Sequence, residues 1–249
     1  MLKYHQKTFN LLRKKPVISS EAVNLVNQYE NKFGIKLPAA VREWYSLDGA
    51  VDILEKICSI IPISINISEQ KFSNWYDSGP YDFISNGLLL IAREVQGVAN
   101  WAIKLDGTDD PPVLIEVDTA PNMIWNTYIE HFSDFIYVTV WDSFYDLSPR
   151  ELTLSAQDKK ISNRDLDFLK HNFNQECCTH YWPGQNNYRF FKEDKCILIW
   201  DGKDEADWFI WAKSKDSLRE LVKIILDCGT LRETLGKYES WSKEILTWR

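Results

Sequence analysis

The sequence predicts an α+β protein in which helices pack on one side of an antiparallel sheet, with a small C-terminal α+β extension. Three stretches carry that prediction. Gly34 to Gly49 reads GIKLPAAVREWYSLDG and has helix punctuation at both ends. Gly87 to Val113 reads GLLLIAREVQGVANWAIKLDGTDDPPV, apolar runs divided by turn residues. Between residues 188 and 212 three short aromatic and β-branched runs precede an amphipathic stretch.

The elements follow in order. Ser19 or Ser20 caps a first helix, Glu21 complements its dipole, Ala22, Val26, Tyr29 and Phe33 share one face, and Gly34 stops it. Leu37 before Pro38 is pushed out of the α region, and Pro38 presets the start of a short helix carrying Val41, Trp44 and Tyr45. Gly49 stands where the chain must turn through positive φ. Leu88 to Ile91 is a continuous apolar run, Trp101 to Leu105 alternates as a half-buried strand does, and Val113 to Val117 is a third strand. Asp106-Gly107 and Pro111-Pro112 supply turn chemistry, so the three strands form an antiparallel meander.

Phe135 to Leu147, FIYVTVWDSFYDL, reads as strand by propensity, whereas Ser133-Asp134 reads as a helix cap. Leu147 to Lys160 is polar, contains Pro149 and lacks clear periodicity, which sets the expected domains at 1–150 and 151–249. Ser162 or Asn163 then caps a helix with Leu166, Leu169, Lys170 and Phe173 on one side. Tyr188–Phe191, Cys196–Trp200 and Trp208–Ala212 are strands joined by hairpins, and this module can extend the first sheet. Leu218 to Leu226 is an amphipathic helix, and Trp241, Ile245 and Trp248 mark a last one.

In this order, Phe33-Gly34-Ile35, Leu37-Pro38, Trp44-Tyr45 with Gly49, the spacing of Gln96-Gly97 to Trp101, Asp109 to Val113, and Phe132 to Phe135 resemble the SUKH superfamily. That superfamily includes fungal cell-wall assembly regulators and bacterial immunity proteins. The resemblance covers roughly the first 150 residues, the size of one domain. It implies helices on one antiparallel sheet, a helix rather than a strand after Ser133, no catalytic residues in common, and a role as antidote to polymorphic toxins, often nucleases.

Composition bounds the function independently. At 249 residues with 45% hydrophobic and 26% charged residues, the chain can bury a substantial core. It has no run of 18 apolar residues and no apolar stretch in Met1 to Pro16, so a cytoplasmic location is expected. Its five cysteines are odd in number and irregularly spaced, which predicts reduced thiols. His171, Cys177, Cys178 and His180 lie close together, but adjacent cysteines rarely converge on one ion and no CxxC is present, so neither metal nor cofactor is expected.

Charge is uneven along the chain. The first 15 residues carry five basic groups and no acids, while residues 16–150 hold 19 acids against 8 bases, a balance of −11. Residues 151–249 hold 17 acids and 16 bases. A surface this negative repels nucleic acids and anionic membranes and attracts a cationic partner, and nuclease toxins need basic surfaces to hold phosphate. An acidic antidote can occupy such a surface as a mimic of the polyanion.

Six acids are the candidate partner-binding residues. Asp106, Asp109 and Asp110 share one inter-strand turn, and Glu94 lies in the preceding connection. Asp77 and Asp82 fall in NWYDSGPYDF, where Trp75, Tyr76 and Tyr81 offer either interface anchors or rings buried over the sheet. No GxSxG elbow, phosphate-binding glycine loop or HExxH is present, and the four histidines lie scattered, so no enzyme is expected. The first functional expectation is a bacterial immunity protein that binds its toxin stoichiometrically through an acidic face. An intracellular interaction scaffold like the fungal members is the alternative, and a hydrolase using Asp109 and Asp110 is a weaker third. Exposed strand edges and many tryptophans are compatible with a homo-oligomer.

Overall fold

The structure, a computed structural model, describes residues 1–57, 60–65, 71–73, 80–117 and 124–237. Its architecture is α+β with antiparallel sheets. The chain divides into two compact units, Met1–Ser143 and Phe144–Arg249, so the division falls ahead of the expected residue 150.

The first unit opens with four helices, α1 (Gln6–Leu12), α2 (Ser20–Phe33), α3 (Ala39–Tyr45) and α4 (Ala50–Ile57). The second has the caps that its sequence foretold. Ser19 Oγ accepts from the Ala22 amide, and Gly34 closes the helix at φ +64° with its own amide donating to the Glu30 carbonyl. Glu30 also ties α2 to α3, because its carboxylate accepts from the Leu37 amide at 2.9 Å and from Arg42 at 2.5 Å. Helix α1 went unread in the sequence for a simple reason: His5, at its N-cap, makes no side-chain cap bond. The segment is held instead by Glu43, whose carboxylate accepts from the backbone amides of Lys3, Tyr4 and His5 at 2.7, 2.8 and 3.0 Å.

Strands follow in chain order: β1 (Ile60–Pro62), β2 (Lys71–Ser73), β3 (Pro80–Asp82), β4 (Leu88–Glu94), β5 (Ala99–Lys104), β6 (Val113–Val117) and β7 (Asn126–Ile129). The five-stranded sheet runs β1-β4-β5-β6-β7, all antiparallel, and contains the expected meander; β2 and β3 pair separately. A half-buried sheet was expected at β5, yet both faces are covered. On one, Trp101 meets Tyr128 and Phe135. On the other, Leu88, Leu90, Ala102 and Leu114 lie under Ile63 and Phe83, with Tyr81 and Trp125 packed alongside. Alternation could not report this, since Ala102 is small enough to read as a solvent position while still packing under rings.

Helix α5 (Phe132–Leu147) resolves the conflict between propensity and capping in favour of helix. It is buried nearly all round, which explains its β-like composition: a helix without a solvent face has no need of polar periodicity. Its cap is not local. Ser133 and Asp134 sit in the first turn, and the capping carboxylate is that of Asp110, which accepts from Ser133 N at 3.0 Å and Ser133 Oγ at 2.6 Å.

The second unit contains β8 (Thr153–Lys159), α6 (Asn163–Asn172), β9 (Asn174–Gln175), β10 (Thr179–His180), β11 (Asn186–Lys192), β12 (Lys195–Asp201), β13 (Glu205–Ala212), α7 (Lys215–Ile225) and α8 (Leu231–Thr234). Strand β8 falls in the stretch read from sequence as a boundary without periodicity. It pairs with β13 over its whole length and buries Leu154 and Ala156. The sheet order is β10-β11-β12-β13-β8 with β9 on β11, so among the described residues these strands form a sheet of their own rather than extending the first. Phe190, Ile197, Ile199, Trp208 and Ile210 meet Leu169 of α6 and Leu218, Leu221, Val222 and Ile225 of α7 in one core. Ser162 caps α6 as expected; Lys170, assigned to its inner side, is exposed. The expected helix at 238–249 lies outside the described residues.

His5 is fully buried, between Trp44 and Phe132. Its Nε2 lies 2.9 Å from the Ala40 carbonyl, an acceptor only, so the neutral ring carries its proton on Nε2. Burial pulls its pKa below the ordinary 6.5, with the charges of Glu43 and Asp110 opposing. The unfolded chain therefore binds the proton more tightly, so the stability from a neutral His5 is complete above pH 6.5 and declines as pH falls below it toward the lowered value. Urea midpoints of the wild type should drop relative to those of His5→Gln between pH 7 and about pH 5. Parallel profiles for the two proteins would show that folding does not weaken proton binding at His5.

Candidate functional site

The meander places the candidate acids at its ends. The carboxy end of β5, the amino ends of β4 and β6, the carboxy end of β7 and the start of α5 all meet at one end of the first sheet, because Leu88 pairs with Lys104, Ile103 with Val113 and Val113 with Ile129. Asp82, Asp106, Asp109 and Asp110 belong to that end, as do Glu130 and Asp134, which the sequence reading did not single out. Glu94, expected in the connection, is instead the last residue of β4 and pairs with Ile60 of β1, because the apolar run continues as strand; it lies at the opposite end, a strand of six residues away, roughly 17 Å. Asp77, with Trp75 and Tyr76, lies outside the described residues.

Each of the five described candidate acids also has a hydrogen-bond donor. Asp106 accepts from the Thr108 amide at 3.0 Å, and the Thr108 hydroxyl and amide hold its carboxyl below the usual range at an exposed position. Asp109 is exposed and accepts from Tyr4 Oη at 3.3 Å, with Lys3 Nζ at 3.6 Å; an ion pair this open adds little stability. The Asp109 carbonyl accepts from Ala40 N, which fastens the turn to α3. Asp110 points back to cap α5, so the pair Asp109 and Asp110 diverges. Asp82 accepts from the amide and hydroxyl of Ser85 at 3.1 and 2.8 Å, and Glu94 from the Gln96 amide at 2.6 Å. An exposed carboxylate with one or two donors keeps acceptor capacity, so Asp106 and Asp109 remain able to receive a cation.

Other acids of the same unit serve inside it. Glu116 is buried and accepts from Asn100 Nδ2 at 2.8 Å on the neighbouring strand, while Glu30 and Glu43 hold helix ends. A groove of about 320 Å³ beside α1 is lined by Phe9, Leu12 and Ile53 together with Lys14, Lys15, Asp48 and Asp52. Charges of both signs line it.

The second unit holds an arrangement the sequence reading missed. Between β10 and β11 the chain reads His180-Tyr181-Trp182-Pro183-Gly184-Gln185, with Tyr181 at φ +72° and a cis Trp182-Pro183 bond. Beneath it Thr179, Asn187 and Arg189 are buried. Asn187 Nδ2 donates to Thr179 Oγ1 at 3.0 Å and to the Trp182 carbonyl at 2.6 Å, while Asn187 Oδ1 accepts from Gly184 N at 3.1 Å. Arg189 donates to Thr179 Oγ1 and to the Cys177 carbonyl. Gly184 lies against the Asp201 peptide, where a Cβ would stand 2.8 Å from its nitrogen. The sequence signal was present as Trp-Pro-Gly followed by three amides, but it reads only as a turn.

Cys177, Cys178 and Cys196 are half-buried free thiols and Cys228 is buried. Burial pushes Cys196 and Cys228 up to about 12 and raises Cys178, the opposite of what a thiolate nucleophile needs. His180 Nδ1 pairs with Asn186 Oδ1, and Cys178 Sγ accepts from Gln175. Among the described residues no three His, Cys, Asp or Glu side chains group as metal ligands, and no helix is long and apolar enough to cross a membrane. No protein-family model, no curated protein and no solved structure matches the chain.

Proposed function

We propose that this chain is an immunity protein of SUKH type that acts in the cytoplasm and neutralises a basic, nuclease-like toxin by stoichiometric binding. The observation that carries the reading is the gathering of Asp82, Asp106, Asp109, Asp110, Glu130 and Asp134 at one end of the first sheet, within a segment whose charge balance is −11. The motif set supports it as well, since the proline, glycine and aromatic positions that carry the resemblance fall at helix starts, helix stops and the meander of an α+β unit.

On this reading the protein works by occupancy. The acidic end draws in the cationic surface with which the toxin would hold phosphate, and long-range attraction speeds the encounter. Bound carboxylates then stand where the nucleic-acid backbone would. Binding of this kind requires no cofactor and no reacting group in the inhibitor.

The test is co-expression with the toxin domain encoded beside the gene. The expected result is a one-to-one complex that survives gel filtration at low salt and associates more slowly as ionic strength rises. Failure of every neighbouring toxin domain to form a complex would remove the reading.

A further inference from the structure

We propose that Cys177 and Cys178 are a redox site: a small-molecule disulfide closes them reversibly into a bond between neighbouring residues, and closure loosens the loop of residues 181–186. The site lies within the second unit and is independent of the immunity reading. Both thiols are half-buried and stand between β9 and β10, which pair with the same strand, β11. Among the described residues nothing pairs with the outer side of β9 or β10, so this edge of the sheet is open to a small reagent.

The register supplies the geometry. Gln175 pairs with Phe190 and Thr179 with Asn187, while the Glu176 amide donates to the Arg189 carbonyl at 2.9 Å. Cys177 and Cys178 are left together opposite Tyr188 alone, which is a β-bulge. In an unbroken strand neighbouring side chains point to opposite faces, and so do residues three apart. Here Gln175 Nε2 donates to Cys178 Sγ at 3.0 Å, so the alternation is broken between them. Adjacent Cα atoms are about 3.8 Å apart, short of the roughly 4.4–6.8 Å of ordinary disulfides, so the bond would be strained and readily reduced. A bulge is where such a bond costs least, because its extra residue has no ladder hydrogen bond to lose.

The exchange balances with the small disulfide as its only other reactant. One cysteine thiolate attacks a sulfur of that disulfide, forming a mixed disulfide and expelling the first small thiolate. The neighbouring cysteine thiolate then attacks the cysteine sulfur of the mixed disulfide and expels the second. Two cysteine thiols are oxidised, and the small disulfide leaves as two thiols carrying their protons. Burial raises Cys178, so exchange is slow at neutral pH and quickens as pH rises. The ring that closes contains the peptide between Cys177 and Cys178, whose oxygen accepts from Arg189 at 3.1 Å. Turning that peptide takes an acceptor from a buried guanidinium that also donates to Thr179 Oγ1, the group to which Asn187 Nδ2 donates. Asn187 holds the Trp182 carbonyl and the Gly184 amide, so the disturbance reaches the loop.

The experiment incubates the full chain, folded and in urea, with glutathione disulfide at about pH 8, alkylates the remaining thiols and digests with trypsin. The peptide His171–Arg189 holds Cys177 and Cys178 and no other cysteine, so its mass reports the pair directly. From the folded protein it should be lighter by two hydrogens and carry neither an alkyl group nor glutathione, and dithiothreitol should restore both thiols. Cys177→Ser should stop at the mixed disulfide on Cys178. In the oxidised protein the amides of residues 181–186 should exchange hydrogen about fivefold faster or more, with α7 unchanged. A peptide alkylated at both sulfurs, a wild type that stops at the mixed disulfide, or closure in urea alone would overturn the proposal. A bond to a cysteine outside the peptide would overturn it too, as would loop exchange within about twofold of the reduced protein.

Discussion

Replacing Gly229 by alanine should lower the stability of the second unit by about 2–4 kcal/mol. The residue lies at φ +50°, and a Cβ built on it would run into Asp158 Oδ2. Relief by moving Asp158 is closed off, because that carboxylate is buried and already bound. Its oxygens accept from the Thr230 amide at 2.7 Å and from the Thr230 hydroxyl at 2.5 Å. The Gly229 amide in turn donates to Asp165, another buried acid, which also receives Ser162 Oγ at 2.7 Å. The turn after α7 is thus fastened to β8 and to the start of α6 by two carboxylates. Hydrogen bonds to charged acceptors are worth more than neutral ones, and leaving one of these acids buried without its donors costs the full desolvation. A thermal melt followed by near-UV circular dichroism should show a Tm lower by about 10 °C or more in Gly229→Ala. A shift under about 2 °C would mean that the turn relaxes freely and that the latch is not what holds it.

Reversing charge at the acidic end of the first sheet should slow association with a cationic partner by about 10- to 100-fold at low salt. Asp106→Lys combined with Asp109→Lys is the informative variant, since both side chains are exposed and neither caps a helix. Asp110 is unsuitable, because losing its bonds to Ser133 would loosen α5 and confuse folding with binding. Glu94→Lys makes the control: it brings the same change of two charge units as each single substitution, at the opposite end of β5, beyond a Debye length of about 8 Å at physiological salt. Stopped-flow association across a range of ionic strength distinguishes the cases. The paired variant should lose most of the salt dependence while Glu94→Lys keeps it. A slowing by Glu94→Lys about half that of the pair on a logarithmic scale, in proportion to the two charge units against four, would show that net charge alone attracts the partner and that the gathered carboxylates have no special place.

Local chemistry made much of the fold legible. Ser19, Gly34, Pro38, Gly49 and Ser162 act within one turn of themselves, so their positions alone announce where helices begin and stop. The meander was legible for the same reason, with a turn of glycine and proline between apolar runs that pair in register. What escaped depends on partners far along the chain. Strand β8 looks polar because only Leu154 and Ala156 supply an apolar face, and its place is fixed by β13. Helix α1 is held by Glu43, some 40 residues on. The candidate acids were legible as a class, but their separation into one end and the other required the register of β4, β5 and β6.

By itself the sequence determined the fold class, the caps of α2 and α6, the meander and the net negative balance of residues 16–150, since each arises from neighbours in the chain or from composition. Only the tertiary structure decided which carboxylates hold the molecule together and which face outward. Asp110 and Asp109 are adjacent, yet one caps a helix and the other is open to solvent, and Asp158 meets Thr230 across 72 residues. A carboxylate's task is set by the donors brought within 3 Å of it, and folding alone assembles those donors.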